Sequence, residues 1–276
     1  MEFRILGPLE VIDGDATVAL GGVRQRALLA ILLLNANEVV SADRLIDELW
    51  GERSPESGRG ALQVRVSQLR KALGEGGGRL LTRAPGYVLS LDRDQLDLQR
   101  FERLVREAAA AEPPAAAEKL REALAVWRGP PLADLAYESF AQAAIGRLKE
   151  LRVGALEKLI DAELALGHHD GLVVELEELV AEHPLREHLR AQLMLALYRC
   201  GRQADALEVY RRTSSELSAE LGLEPGRELK DLENAILNQD PSLEPPSPAT
   251  VDSSGEPAPD REPPWRLSRP AGRAKW

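Results

Sequence analysis

Apolar and polar positions change their period along this chain, and each change marks an element. Near the N-terminus the apolar residues fall in short runs, Phe3–Leu6, Leu9–Ile12 and Thr17–Leu20, divided by Gly7-Pro8 and by Asp13-Gly14-Asp15. Short apolar runs between turn residues predict three strands. From Val23 the spacing lengthens to three and four, the period of a helix. It predicts helices over Val23–Asn35, Asp43–Trp50 and Glu56–Leu73, with Ser41 as the N-cap of the second and Gly74 as the stop of the third. The glycine run Gly76-Gly77-Gly78 leads into Leu80–Arg83, and Ala84-Pro85-Gly86 turns the chain into Tyr87–Leu91. That pattern predicts a β-hairpin. From residue 96 to 241 helical spacing is nearly continuous, as in Leu148, Leu151, Ala155, Leu156 and Leu159. Residues 242–276 lose all period and hold eight of the 18 prolines, a composition too poor in apolar surface to fold. The organisation expected is thus 1–95, mixed; 96–241, all helical; and 242–276, a disordered Pro-rich tail.

The helical segment carries an internal period. Gly167 and Gly201 are 34 residues apart, and on that offset Leu172 meets Ala206, Leu176 meets Tyr210 and Leu179 meets Thr213. A 34-residue period is that of tetratricopeptide repeats, helix pairs that stack and offer a concave face to proteins.

Charge sharpens the division. The chain of 276 residues has 35 basic and 45 acidic side chains, a net -10, which by itself argues against a polyanion partner. By segment, residues 1–95 carry 12 basic against 13 acidic, and residues 96–241 carry 18 against 27. The acidity belongs to the helical half. Inside the first segment, residues 57–91 hold Arg59, Arg65, Arg70, Lys71, Arg79 and Arg83 against the single acid Glu75.

The placement of those cations points to chemistry. At 100° per residue Leu62, Val66, Leu69 and Leu73 form one narrow stripe, the predicted core face. The opposite face carries Gly60, Val64, Ser67, Gln68 and Lys71, with Arg59, Gln63 and Arg70 along one flank and Arg65 along the other. Small and amide side chains on such a face reach base edges, and cations on its flanks reach phosphates. The same pattern also describes an ordinary amphipathic helix with a solvated face. The order helix, helix, hairpin is that of a winged helix-turn-helix.

Leu69-Arg70-Lys71-Ala72-Leu73 followed by Leu81-Thr82-Arg83-Ala84-Pro85-Gly86-Tyr87 resembles the end of the recognition helix and the wing of OmpR/PhoB-type DNA-binding domains. The resemblance implies that Gln63, Val64, Arg65, Ser67, Gln68 and Arg70 contact the groove and backbone of DNA, with Arg83 entering the minor groove; the helix face adds Arg59 and Lys71 as expected DNA contacts. Ser67 and Gln68 depart from the response-regulator members, which often carry arginine there. The loop Gly51, Glu52, Arg53, Ser54 and Pro55 matches the region with which relatives touch RNA polymerase, while Trp50 reads as a core residue closing the helix pair.

Downstream, the stretches Leu124–Leu132 (LAVWRGPPL), His183–Glu187 (HPLRE), Leu193–Tyr198 (LMLALY), Gly201–Leu207 (GRQADAL) and Leu221–Gly226 (LGLEPG) resemble the bacterial transcriptional activation domain. The two halves together resemble the antibiotic regulatory protein family (SARP) of actinobacterial activators, over residues 1–241. The fold implied is mainly α: an N-terminal winged helix-turn-helix with a small β-sheet and hairpin wing, then an all-α tetratricopeptide-like domain. The implied function is activation from promoter direct repeats in double-stranded DNA, by a homodimer or tandem protomers, through RNA polymerase holoenzyme and its sigma factor. The expected location is the cytoplasm, at the nucleoid.

Other chemistries find little support. With a single cysteine, Cys200, neither an intramolecular disulfide nor a Cys-based zinc site is expected. His168, His169, His183 and His188 have no spacing that would put metal ligands on one helix face. The longest apolar run, Ala27–Leu34, is too short to span a bilayer, and no signal peptide precedes it. Neither a phosphate-binding GxxxxGK[ST] loop nor a GxSxG or HExxH motif occurs, so no enzyme, metal or cofactor is expected. The rival reading is a tetratricopeptide-like adaptor whose winged helix no longer binds DNA.

Overall fold

The computed structural model describes residues 1–51, 55 and 57–245. In chain order these form β1 (Glu2–Arg4), β2 (Glu10–Asp13), β3 (Ala16–Thr17), α1 (Val23–Leu34), β4 (Val40–Ser41), α2 (Ala42–Trp50), α3 (Gly58–Ala72), β5 (Leu80–Arg83) and β6 (Gly86–Leu89). There follow α4 (Asp97–Ala108), α5 (Pro113–Ala125), α6 (Ser139–Ala165), α7 (Val173–Glu182), α8 (Glu187–Arg199), α9 (Gln203–Leu221) and α10 (Arg227–Leu237). The protein is mainly helical, with a small N-terminal sheet and a winged helix ahead of the helical region, as its sequence leads one to expect. Among the described residues no helix is long and apolar enough to cross a membrane. The predicted tail begins with a short 3-10 turn, Pro241–Leu243, whose Leu243 is buried; residues 246–276 lie outside the described residues.

The described part divides into two compact units. The first takes in Met1–Arg106 and Arg121–Val153. Its N-terminal sheet runs β1-β2-β3, all antiparallel, with Phe3 opposite Val11. The first strand ends at Arg4 rather than Leu6, for an electrostatic reason. The backbone N–H groups of Ile5 and Leu6 leave the ladder and donate to the carboxylate of Asp97 at 2.8–2.9 Å. The Leu98 N–H also donates to that carboxylate. Asp97 is 3% exposed. Burial pushes its carboxyl up to about 6, while the three N–H donors and the nearby Arg128 guanidinium pull it down, so it is ionised at neutral pH.

The carbonyls of the same two residues are also taken up. Leu6 accepts from the Arg128 N–H at 2.8 Å, and Ile5 accepts from the Leu132 N–H at 3.1 Å. Asp134 accepts the Leu9 N–H and pairs with Arg26 of α1. Phe101 meets Trp127 edge to face at 5.5 Å, a favoured aromatic geometry. Asp97, Phe101 and the stretch from Trp127 to Asp134 thus complete the surroundings of the N-terminal sheet. Within this unit α1 is apolar on nearly every side, and Ala27 through Leu33 are all 2% exposed or less. A helix buried all round forms the centre of its core.

The second unit takes in Glu107–Leu120 and the described residues from Gly154 onward. Gly167 and Gly201 both adopt left-handed backbone, φ 82° and 74°. Each turns the chain out of one helix toward the next, a conformation that glycine adopts without penalty. On the 34-residue offset Leu172 and Ala206 are both buried, while Leu176 and Thr213 are buried opposite the half-buried Tyr210 and Leu179. Arg190 of α8 is buried and bonded: its guanidinium donates to the Pro184 carbonyl and to Thr213 Oγ1. His188 stands between two carboxylates, with Nδ1 2.8 Å from Glu228 of α10 and Nε2 3.1 Å from Asp161 of α6. The bond to Asp161 does most to raise its pKa to about 9, with Glu228 adding and partial desolvation opposing.

Two outcomes follow from these contacts. Asp97→Ala leaves three buried N–H groups without acceptors and should lower stability by roughly 3 kcal/mol or more in urea unfolding; Asp97→Asn, which keeps one oxygen, should fall between. His188 holds its proton to about pH 9 when folded, against 6.5 for a free imidazole. Its contribution is therefore complete below pH 6.5 and disappears as pH rises through 9. The difference in Tm between wild type and His188→Ala should accordingly be largest at pH 6 and close to nil at about pH 10.

Candidate nucleic-acid interface

Three helices and a hairpin place the basic residues. Ser41 caps α2, its Oγ accepting the Arg44 N–H at 3.2 Å. α2 then buries Leu45, Leu49 and Trp50. Trp50 is a core residue, with the Arg24 guanidinium over its ring at 5.8 Å. α3 buries Leu62, Val66 and Leu69, and Leu73 closes the stripe; all four are 2% exposed or less. The stripe fixes which way the rest of α3 points. Gln63, Val64, Ser67, Gln68 and Lys71 are exposed on the other side. Val64 is 55% exposed, an apolar side chain held out to solvent by the register of the buried stripe.

The hairpin is pinned by a strand that two residues define. β4 pairs with β6, Val40 opposite Tyr87 and Ser41 opposite Gly86, giving a sheet of order β4-β6-β5. The approach at Gly86 is so close that a Cβ would collide with the Val40 carbonyl. β5 and β6 pair from Leu80 opposite Leu89 to Arg83 opposite Gly86. Arg83 therefore sits at the hairpin's turn end, exposed.

The cations divide by what already holds them. Lys71 and Arg83 are exposed. Arg59 forms an exposed pair with Asp43 at 3.0 Å, an interaction of small worth that a stronger anion displaces readily. Arg65 Nη1 donates to Gln68 Oε1 at 3.0 Å, which occupies the amide oxygen of Gln68. Arg70 differs most from its sequence reading as a phosphate contact. Its Nε and Nη2 both donate to the Leu80 carbonyl, at 2.8 and 2.6 Å, and Nη2 also reaches Thr82 Oγ1 at 3.0 Å. The side chain thus ties α3 to the first strand of the wing.

Thr82 and Asp43 were not legible as site residues in the sequence, because their roles come from contacts 12 and 16 residues away. The position of Arg70 beside Leu69, at the edge of the buried stripe, is the one available signal. A long side chain there lies down over its neighbour. Of the predicted polymerase-contact loop, Gly51 is the C-cap of α2 at φ 53° and Pro55 is exposed. Glu52, Arg53 and Ser54 lie outside the described residues. The last turn of α3 carries Arg70 and Lys71, positive charge where the helix dipole favours it.

This surface joins hydrogen-bonding groups, one apolar contact and flanking cations, the set that a duplex groove presents partners for. Comparison with known proteins agrees with the architecture. Residues 96–237 match the bacterial transcriptional activator domain, and residues 17–89 match the transcriptional regulatory protein C-terminal domain. The transcriptional regulator RedD of Streptomyces coelicolor is 40% identical over 259 residues, covering 90% of this chain and 73% of RedD. The regulatory protein DnrI of Streptomyces peucetius is 36% identical over 257 residues, covering 88% of this chain and 94% of DnrI. The solved structure of Mycobacterium tuberculosis EmbR in complex with a low affinity phosphopeptide superposes with a TM-score of 0.82 at 40% identity. It covers 87% of this chain, which spans 65% of that EmbR chain.

The Arg70 tether gives a direct outcome. Arg70→Lys loses the two-pronged hold on Leu80 and should destabilise the winged helix by about 1–2 kcal/mol in urea unfolding. Arg70→Ala should cost at least as much. Unchanged stability in both would show that the tether is incidental.

Proposed function

The chain belongs to the antibiotic regulatory protein family of transcriptional regulators, an OmpR/PhoB-type winged helix joined to a bacterial transcriptional activator domain, and from that premise we propose that it activates transcription by reading promoter direct repeats with α3. Residues 1–95 are the DNA-binding domain in this reading and residues 96–241 the activation domain. α3 enters the major groove, where Gln63, Val64, Ser67 and Gln68 meet base edges. Arg59, Arg65 and Lys71 meet phosphates, and Arg83 of the wing enters the adjacent minor groove. Arg70 acts mainly through the wing it holds.

One observation carries the reading: the outward face of α3 is exposed and its composition is small, amide-bearing or singly apolar, above a stripe that is fully buried. Val64 has a specific use there, since an exposed aliphatic group in the major groove recognises a thymine methyl. Gln68 keeps its amide N–H groups for an acceptor while Arg65 holds its oxygen.

The loop from Gly51 to Pro55 and the acidic helical half are assigned to RNA polymerase holoenzyme and its sigma factor. Two protomers, as a homodimer or in tandem, occupy the two repeats. The regulated genes are assigned to a secondary-metabolite cluster, as the family resemblance implies. The acidity of residues 96–241, 18 basic against 27 acidic, supports this division, because it disfavours contact between that half and phosphate.

Fluorescence anisotropy with direct-repeat and random duplexes over a series of salt concentrations tests the reading. Lys71→Ala should weaken binding to every duplex and lower the salt slope by about 0.9 for each protomer bound. Gln68→Ala should instead change preference at one base pair, by about 1 kcal/mol for the loss of one hydrogen bond and by up to about 3 kcal/mol where the amide turns to make a bidentate contact. Binding by both variants that matches wild type on all sequences would remove α3 from the interface.

A further inference from the structure

Cys200 is the C-cap of α8, and His169 and Asp170 lie in the turn between α6 and α7. These are the two turns that carry the left-handed glycines Gly167 and Gly201. No helix face could have joined these three residues, but the stacking of successive repeats does. One donor atom from each of the three side chains lies within 4.8 Å of the other two. The Cys200 Sγ donates to Asp170 Oδ1 at 3.4 Å, and His169 Nε2 stands 3.7 Å from the same oxygen.

Those separations have a chemical meaning. Bonds of about 2.0–2.3 Å from a tetrahedral ion to oxygen, nitrogen and sulfur set the ligand atoms roughly 3.3–3.7 Å apart. The two separations to Asp170 Oδ1, 3.4 and 3.7 Å, match two edges of such a tetrahedron, and the third lies within 4.8 Å. The His169 imidazole is free to join that tetrahedron. Its Nε2 stands 3.7 Å from Asp170, beyond hydrogen-bond distance, while Nδ1 is buried without a hydrogen-bond partner and is the nitrogen that carries the proton when Nε2 binds an ion. By contrast His168 is bonded to Glu163 at 2.8 Å and His188 is held between Glu228 and Asp161. The cluster also has an entrance, because the Asp170 side chain is 89% exposed.

We propose that His169, Asp170 and Cys200 bind a divalent transition-metal ion of the zinc class, through thiolate, imidazole and carboxylate, with water in the fourth position. Thiolate and imidazole select zinc, cobalt or copper over magnesium and calcium. On binding, the Cys200 proton is released to solvent and the S–metal bond replaces the S–H bond. The imidazole binds through a lone pair and keeps its one proton on the other ring nitrogen. The ion clamps the α6–α7 turn to the α8–α9 turn, so it stabilises the repeat stack.

The test uses the reduced full-length chain and cobalt(II) as a spectroscopic probe. Cys200 is the chain's one cysteine, so a thiolate-to-cobalt charge-transfer band reports that residue alone. The expected result is one cobalt per chain, with that band and intense tetrahedral d–d bands, both removed by zinc. Cys200→Ser, a near-isosteric change at a partly exposed position, should abolish the charge-transfer band with unchanged circular dichroism. His169→Ala should weaken binding at least about tenfold. Three results would each overturn the proposal: no thiolate band in wild type, saturation at half an equivalent of cobalt because two chains share an ion, or His169→Ala binding as tightly as wild type. None of these readouts depends on DNA binding.

Discussion

Ile5 and Leu6 turn their N–H groups away from the N-terminal sheet and onto the buried carboxylate of Asp97, and much of the first unit is arranged around that exchange. A buried carboxylate is tolerable only when its lone pairs are taken and its charge is answered. Here three backbone N–H groups take the lone pairs, and Arg128 answers the charge from 3.8 Å. Arg128 is in turn bonded to Glu10 and to the Pro8 carbonyl. The link runs from residue 5 to residue 97, and Arg128 carries it back to residues 8 and 10, so it closes the N-terminal sheet into a loop of contacts. The N-terminal sheet is thereby completed by residues that sequence similarity assigns to the downstream activator domain.

That arrangement bears on how the reading face is held. α1 is the buried centre of the unit, and Arg26 on its surface is tied through Asp134 to the same downstream segment. α3 leans on that core through Leu62, Val66 and Leu69, which fixes its outward face. Arg70 then sets the wing against α3, and β4 anchors the wing's other strand. Positioning of this kind favours specificity, because a side chain that reads a base must arrive in a defined orientation.

Much of this was legible in the sequence where the signal is local. The Leu62, Val66, Leu69, Leu73 stripe follows from spacing alone, as do the Ser41 cap and the wing hairpin. The 34-residue offset between Gly167 and Gly201 is likewise a local signal, and the matched φ angles give its physical cause. What escaped reading comes from distance or brevity. β4 is two residues long, too short for any period to show. The first strand was drawn too far because Ile5 and Leu6 are apolar and strand-like, and nothing near them announces an acceptor 92 residues away. The charge of Arg70 is visible in the sequence, and its bond to Leu80 is not. The His169, Asp170, Cys200 cluster likewise forms only when two turns meet.

The central claim is that the winged helix, Asp97 and the stretch from Arg128 to Asp134 form one cooperative structure around the Asp97 carboxylate. Native-state hydrogen exchange on the full chain tests it most directly, since amides that open together share one opening free energy. The Ile5 and Leu6 amides, the Arg128 and Leu132 amides that bond back to them, and the Leu69 amide at the buried heart of α3 should exchange with a common value. Exchange of the first four well ahead of Leu69, by about 2 kcal/mol or more in opening free energy, would contradict the account and leave α3 and its core a unit apart from the N-terminal sheet.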